Sequence, residues 1–279
     1  LAAIEGGDPV VADLAALLHD LTKPFDGEYV TGPDGKRLVD ANGFWYNTLR
    51  LPERENSVTM LYHELALAGT LHNESGAILA QHILDECGVC QKVVARVAQT
   101  IQNHLFPPGD AAIESRCLYD ADTIDANIGL RAFVRNIYIN LHFYDQRRTD
   151  GEPPIAETLA SDPARFLGPY ICENLPRWAR GKRQDFVCKL TTHAGQALAN
   201  ARLDRLDAFF TWLGASLDGL TPGVDHTGVD VILHYMRHAD EPSIWDETQH
   251  LAQTWTAPET PPETLTLLDA LHNEMRGII

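Results

Sequence analysis

Residues 14–23 read LAALLHDLTK, an apolar stretch that runs into a histidine, an aspartate and, three positions on, a lysine. Just upstream, Asp8 and Pro9 make a good N-cap and first helical position. Val10, Val11, Leu14, Leu17, Leu18 and Leu21 then form one helical stripe, with Ala12, Ala15, Ala16, His19 and Lys23 on the other side. A helix that is apolar on one face and small on the other is expected to be buried on both. Polar groups are costly in such a place unless something binds them. The stretch therefore sets two expectations: a helical body, and a use for His19, Asp20 and Lys23.

Moving outward, residues 24–58 break the helical period. The segment EYVTGPDGKRLV predicts a β-hairpin within residues 27–40, around a Gly-Pro-Asp-Gly turn, and GFWYN follows with three adjacent aromatics. Helical periodicity returns near Ser57 and over residues 73–86, 89–105, 111–125, 130–146, 163–175, 184–217 (with room for a break), 229–238 and 262–276. Thr260 and Glu263 fit a capping box for the last of these. The expected class is all-α, with one short hairpin excursion. TAPETPPET, residues 256–264, is the linker-like stretch.

Bulk properties narrow the function. The chain has 279 residues, 44% of them apolar, enough for a sizeable core. Its 22 basic and 39 acidic residues give a net charge of −17. That argues against general binding to nucleic acid or anionic membranes, although a bound metal can reverse the local field for a small anionic substrate. No apolar run approaches the ~20 residues of a membrane span, and no signal peptide is read. Five cysteines without framework spacing predict a reducing cytoplasm. Cys87 and Cys90 form one CxxC without a second pair to complete a zinc site. The opening LAAIEGG reads as a helix end halted by Gly6 and Gly7, which predicts that the native element starts upstream.

Further polar residues face inward by periodicity. His104 continues the stripe of Val93, Val97 and Ile101; Asp122 shares a face with Leu118 and Asp125, with Asp120 expected to point away; His72 opens the 73–86 helix. Singly, each reads as an ordinary core histidine or cap. Together they point to a metal ion, which takes imidazole nitrogen and carboxylate oxygen alike.

At this point the sequence resembles the HD-domain metal-dependent phosphohydrolase superfamily. LLHDLTK supplies the adjacent His19–Asp20 pair, and LYDADTID supplies Asp122 as the distant aspartate. His72, in LHNESGAILAQHIL, and His104, in TIQNHL, match the two intervening histidines of many members. DFVCKLTTHAGQALANARLDRLDAFFTWL resembles the closing helices of a bacterial branch with a nucleotide-pyrophosphatase-like fold. The resemblance covers roughly residues 1–215, an HD-domain bundle with the excursion at 24–58, and leaves 216–279 as a helical extension packed on the same body. One departure stands out: the family's first histidine should precede His19, and no histidine does so here.

The resemblance implies metal ligation by His19, Asp20, His72, His104 and Asp122, with one or two ions of Mn, Mg, Co or Fe. Asp20 would bridge two ions in the two-metal form, and activated water would attack phosphorus. Lys23 resembles the lysine of His-Asp-x-x-Lys variants and would act with Asp20, holding a substrate phosphate. Arg131 is a second phosphate candidate and Asp125 a supporting carboxylate. Trp45 and Tyr46 are expected to stack on substrate from the excursion, which would serve as a lid. His63 competes with His72 as ligand, and His234 with His238 forms a chelating spacing outside the matched region. The implied substrate is a small phosphate ester or anhydride, nucleotides included. Two other classes fit the same pattern: an HD-fold di-iron oxygenase, and a degenerate HD domain used for binding or regulation.

Overall fold

The computed structural model describes residues 1–39, 46–155, 157, 161, 167–217, 228–237, 244–255 and 260–278. The chain is all-α. Eleven α-helices are present among the described residues: α1 Pro9–Leu18, α2 Ser57–Glu64, α3 His72–Glu86, α4 Gln91–Asn103, α5 Ile113–Asn127, α6 Leu130–Arg147, α7 Leu175–Asp185, α8 His193–Ala215, α9 Gly228–Arg237, α10 Ile244–Thr254 and α11 Pro262–Met275. None of the described helices is long and apolar enough to cross a membrane. The chain divides into two compact units, Leu1–Ala121 and Asp122–Ile279.

In the first unit, α1 packs on α3 and α4. Asp8 is the N-cap of α1 and accepts from Val10 N at 3.1 Å. Val11 and Ala15 from α1, Ala80 from α3, and Val97 and Ile101 from α4 interlock in one cluster. All five are buried to 0% exposure, each larger one contributing about 1.5–3 kcal/mol of hydrophobic stabilisation. Arg96 of α4 ties the start of α1 to α5: it donates to Asp8 Oδ2 at 2.8 Å and to Glu114 Oε1 at 2.7 Å.

The Gly-Pro-Asp-Gly turn closes as predicted. Gly32 N donates to Lys36 O at 2.8 Å, and Gly35 takes φ +73°, a left-handed conformation that side chains disfavour. The flanks pair as isolated antiparallel bridges, Thr31 with Arg37 and Tyr29 with Asn47, and no strand forms among the described residues. Tyr29, Leu38 and Val39 remain 43–54% exposed, so the ladder has no buried face to reward its extension.

The second unit has its own core, built from Ile124 and Ile128 beside Phe133, Leu203, Phe210, Leu233, Leu251 and Leu267. Glu274, at the end of α11, caps α6: its Oε1 accepts from Arg131 N at 3.1 Å. Burial pushes the Glu274 carboxyl up, against the opposing pull of Arg202 and the Arg131 amide.

Several boundaries differ from the sequence reading. The break allowed for within 184–217 falls at a 3-10 turn, Val187–Lys189, before Thr192 caps α8. α7 was not anticipated; a π turn, Tyr170–Asn174, leads into it, and Pro176 sits in its first turn, where a missing N–H costs nothing. α10, IWDETQHLAQT, was also not anticipated, although Ile244, Trp245, Leu251 and Ala252 lie on one side of it. The capping box at Thr260 is not made: α11 has Pro261 at its N-cap without a side-chain bond, and Thr260 Oγ1 instead donates to Trp255 O.

Candidate metal centre

α1 ends at Leu18, not at Lys23 as its periodicity suggests, and His19 is the C-cap. Pro24 disfavours helix at the residue before it. Thr22 also pulls the chain across α3: its hydroxyl donates to His72 O at 3.2 Å and lies 2.7 Å from Ser75 Oγ. Gly76 permits this approach, since a Cβ there would meet His19 O at 3.0 Å. His19 and Asp20 therefore sit in a turn beyond the helix rather than 100° apart on it. Lys23 opens the 3-10 turn Lys23–Phe25, and its Nζ donates to Asp20 Oδ2 at 2.6 Å.

Three helix ends meet here. His19 caps α1, His104 caps α4, and His72 begins α3. The His19 and His104 rings are 5.1 Å apart, and those of His72 and His104 are 5.2 Å apart. Each imidazole is anchored through Nδ1. His19 donates to Ala16 O at 2.8 Å and His104 to Ile101 O at 2.6 Å; His72 Nδ1 binds Asp26 Oδ2. A carbonyl or carboxylate oxygen can only accept, so the Nδ1 atoms carry the protons. In the neutral rings Nε2 is then the lone-pair atom. Asp20 Oδ1 lies 3.4 Å from His19 Nε2 and 3.7 Å from His72 Nε2. Asp20, His72 and His104 each offer a ligand atom, and these lie within 4.8 Å of one another.

These residues fit a metal. Asp20 Oδ1 and His72 Nε2 are buried and make no hydrogen bond, a costly state for a carboxylate oxygen and an imidazole unless a cation takes both. The C-termini of α1 and α4 add partial negative charge to the site, opposed by the N-terminus of α3. A second carboxylate holding the far nitrogen of a ligand histidine, as Asp26 does, is the usual support of such a centre.

Asp122 lies on α5, half-buried, as the first residue of the second unit, and on that helix it is one turn beyond the buried Leu118. Asp120 does not point away as expected. It is 0% exposed, on the stripe formed by Cys117, Asp120 and Ile124 at i, i+3 and i+7. Arg131, in the second unit, is exposed and its guanidinium clasps both oxygens of Asp125, at 2.9 and 3.0 Å. Trp45 lies outside the described residues; Tyr46 is 55% exposed, with its backbone bonded to Val30 and Leu38. His63 and His82 are exposed, whereas His72 is 7% exposed. In the second unit, His234 Nε2 is taken by Glu247, and His238 lies outside the described residues.

Sequence reasoning missed Asp26 and Thr22. Asp26 precedes Gly27 and reads as a turn aspartate; its partner lies 46 residues away. No family model, curated protein or solved structure matches the chain.

Proposed function

We propose that this chain is a metal-dependent phosphohydrolase of the HD-domain kind. One observation carries the reading: three imidazoles, each held through Nδ1, gather around a carboxylate oxygen that has no hydrogen bond. His19, Asp20, His72 and His104 would hold the ion. A donor set rich in imidazole suits Mn, Co or Fe better than Mg, which prefers all-oxygen shells. A bound ion supplies a Lewis acid for the phosphoryl group and lowers the pKa of water to about 7.

The chain's own residues do the rest. Asp20 presents Oδ1 to the cluster of rings while Lys23 steadies Oδ2. Asp26 keeps the His72 proton on Nδ1 and its lone pair on Nε2. Lys23, with half its side chain exposed, supplies positive charge at the rim of a strongly acidic chain. The substrate is a small phosphate ester or anhydride, nucleotides included. All five cysteines are free, in keeping with a cytoplasmic protein.

The test is metal analysis of the purified chain together with phosphate release across a panel of phosphomonoesters and nucleotides. Manganese- or cobalt-dependent release, lost in His72→Ala and His104→Ala, is expected. Oxygen uptake by iron-loaded protein without phosphate release would favour the oxygenase reading. Absence of metal binding under any loading would leave a binding or regulatory domain.

A further inference from the structure

The second unit holds an open cavity of about 440 Å³ between α6, α8 and α11. Leu130, Phe209 and Leu267 give it an apolar floor, and Ala208 and Ala270 line the gap between α8 and α11, where larger side chains would close it. Its direction follows from its ends. Arg205 of α8 lies beside Glu274 in the last turn of α11, 3.9 Å from Oε2. The groove is lined by residues 205–212 of α8 and 263–270 of α11, so the two helices run antiparallel along it. Arg205 therefore stands at one end and Trp212 with Glu263 at the other, about 10.5 Å apart by helical rise. The apolar wall is already in place. Phe209 lies 5.5 Å from Trp212 and 6.2 Å from the buried Phe133, ring centre to ring centre, and the Trp212 indole rests on Gly228, where a Cβ would have no room.

The two ends differ in charge. Arg202 and Arg205 share the carboxylate of Glu274, which leaves positive charge in surplus there, and 31% of the Arg205 side chain is exposed. Glu263 is exposed at the far end and would repel a second anion. Small-molecule sites are typically cavities of about 300–1,000 Å³ with apolar linings and a few placed polar groups, between helices in bundles. We propose that this groove binds a small monocarboxylate with a linear apolar tail, the carboxylate on Arg205 and the tail along Phe209 toward Trp212. The length of the groove suits an extended chain of about eight carbons, by the same helical rise. The site lies in the second unit and is independent of the metal reading.

The experiment is calorimetric titration of the full chain in chelator, so that metal plays no part. Wild type is expected to bind one octanoate per chain, saturably. Octanol offers Arg205 no charge and should bind at least about tenfold more weakly, the loss of one charge-assisted hydrogen bond. Octanedioate, whose second carboxylate would reach Glu263, should also be weaker than octanoate. Hexanoate, two methylenes shorter, should be weaker by about fifteenfold. Arg205→Met should lose about tenfold or more for octanoate and leave octanol unchanged. Ala208→Phe, at an exposed position of α8, should fill the groove and remove binding of both while the circular dichroism spectrum is kept. If Arg205→Met does not fold, the comparison of octanoate with octanol on wild type still reads the head group. Octanol or octanedioate binding as tightly as octanoate overturns the assignment to Arg205. No saturable octanoate binding in wild type, or undiminished binding in Ala208→Phe, overturns the site itself.

Discussion

Changing Asp26→Asn should uncouple the proposed metal centre from its support, and the structure gives the size of the effect. Oδ1 of Asp26 accepts the His72 backbone N–H at 3.0 Å, and Oδ2 holds His72 Nδ1. An asparagine has one oxygen for these two donors. If the oxygen stays on the ring, the amide NH₂ faces the backbone N–H, donor against donor. If it stays on the backbone, NH₂ faces Nδ1 and the imidazole must shift its proton to Nε2, the atom needed for metal. Either way one charge-assisted hydrogen bond is lost, about 1.5–3 kcal/mol in the metal-free protein. Support losses of this kind weaken metal binding by about 10–100-fold, or about 1.4–2.7 kcal/mol. Denaturant titration in chelator reads the first number, and Mn²⁺ titration of the folded protein reads the second. Affinity within twofold of wild type, with stability lowered, would make Asp26 a helix cap and nothing more, and the ring-anchoring argument would fail.

Other expectations concern packing and charge. Gly76→Val places branched carbons where a Cβ already meets His19 O at 3.0 Å and Ile101 Cγ2 at 3.6 Å; overpacking should cost about 1–3 kcal/mol and weaken Mn²⁺ binding, both readable in the titrations above. Arg96→Met leaves Glu114, 4% exposed, without its guanidinium and should cost about 1–3 kcal/mol by chemical denaturation. The raised Glu274 carboxyl makes a signed prediction. The folded state holds its proton more tightly than the unfolded state, so its contribution is fully present below the reference value of 4.5 and is lost as pH rises through the raised value. Wild type should therefore gain stability relative to Glu274→Gln as pH falls through that window, and parallel pH–stability curves for the two proteins would contradict the assignment.

Much of the architecture can be read from apolar spacing. α3, α4 and α6 each carry a stripe that packing then uses, and these helices and α1 start within two residues of where periodicity begins them. α1 is not buried on both faces as expected: it packs through Val11, Ala15 and Leu18, while Val10 and Leu17 of the expected stripe are 58% and 75% exposed. The failures have physical causes. Periodicity runs on through Leu21 and cannot register the bonds from Thr22 to α3 that end α1 early. Asp120 looked outward because Leu118 and Asp122 suggested one face, whereas the buried stripe of α5 follows Cys117 and Ile124. The ligand candidates themselves were legible, because histidines and aspartates that interrupt apolar patterns are conspicuous. What holds them was not: Asp26, Gly76 and two helix-end carbonyls carry no signal in a linear reading.

The capping role of two candidate ligand histidines has a consequence for how this protein can vary. His19 and His104 each bond a carbonyl three residues back in their own helix, Ala16 O and Ile101 O. Each is thus a plug for the helix that carries it, and its bearing is tied to where that helix stops. One residue inserted in α1 or α4 turns everything beyond it by about 100° and shifts it 1.5 Å along the axis. An insertion in the 24–58 excursion does neither. Tolerance to length change should therefore be sharply uneven: loop tips can grow, while these two short helices can trade side chains on their solvent faces but cannot gain or lose a residue without dismantling the centre at their ends.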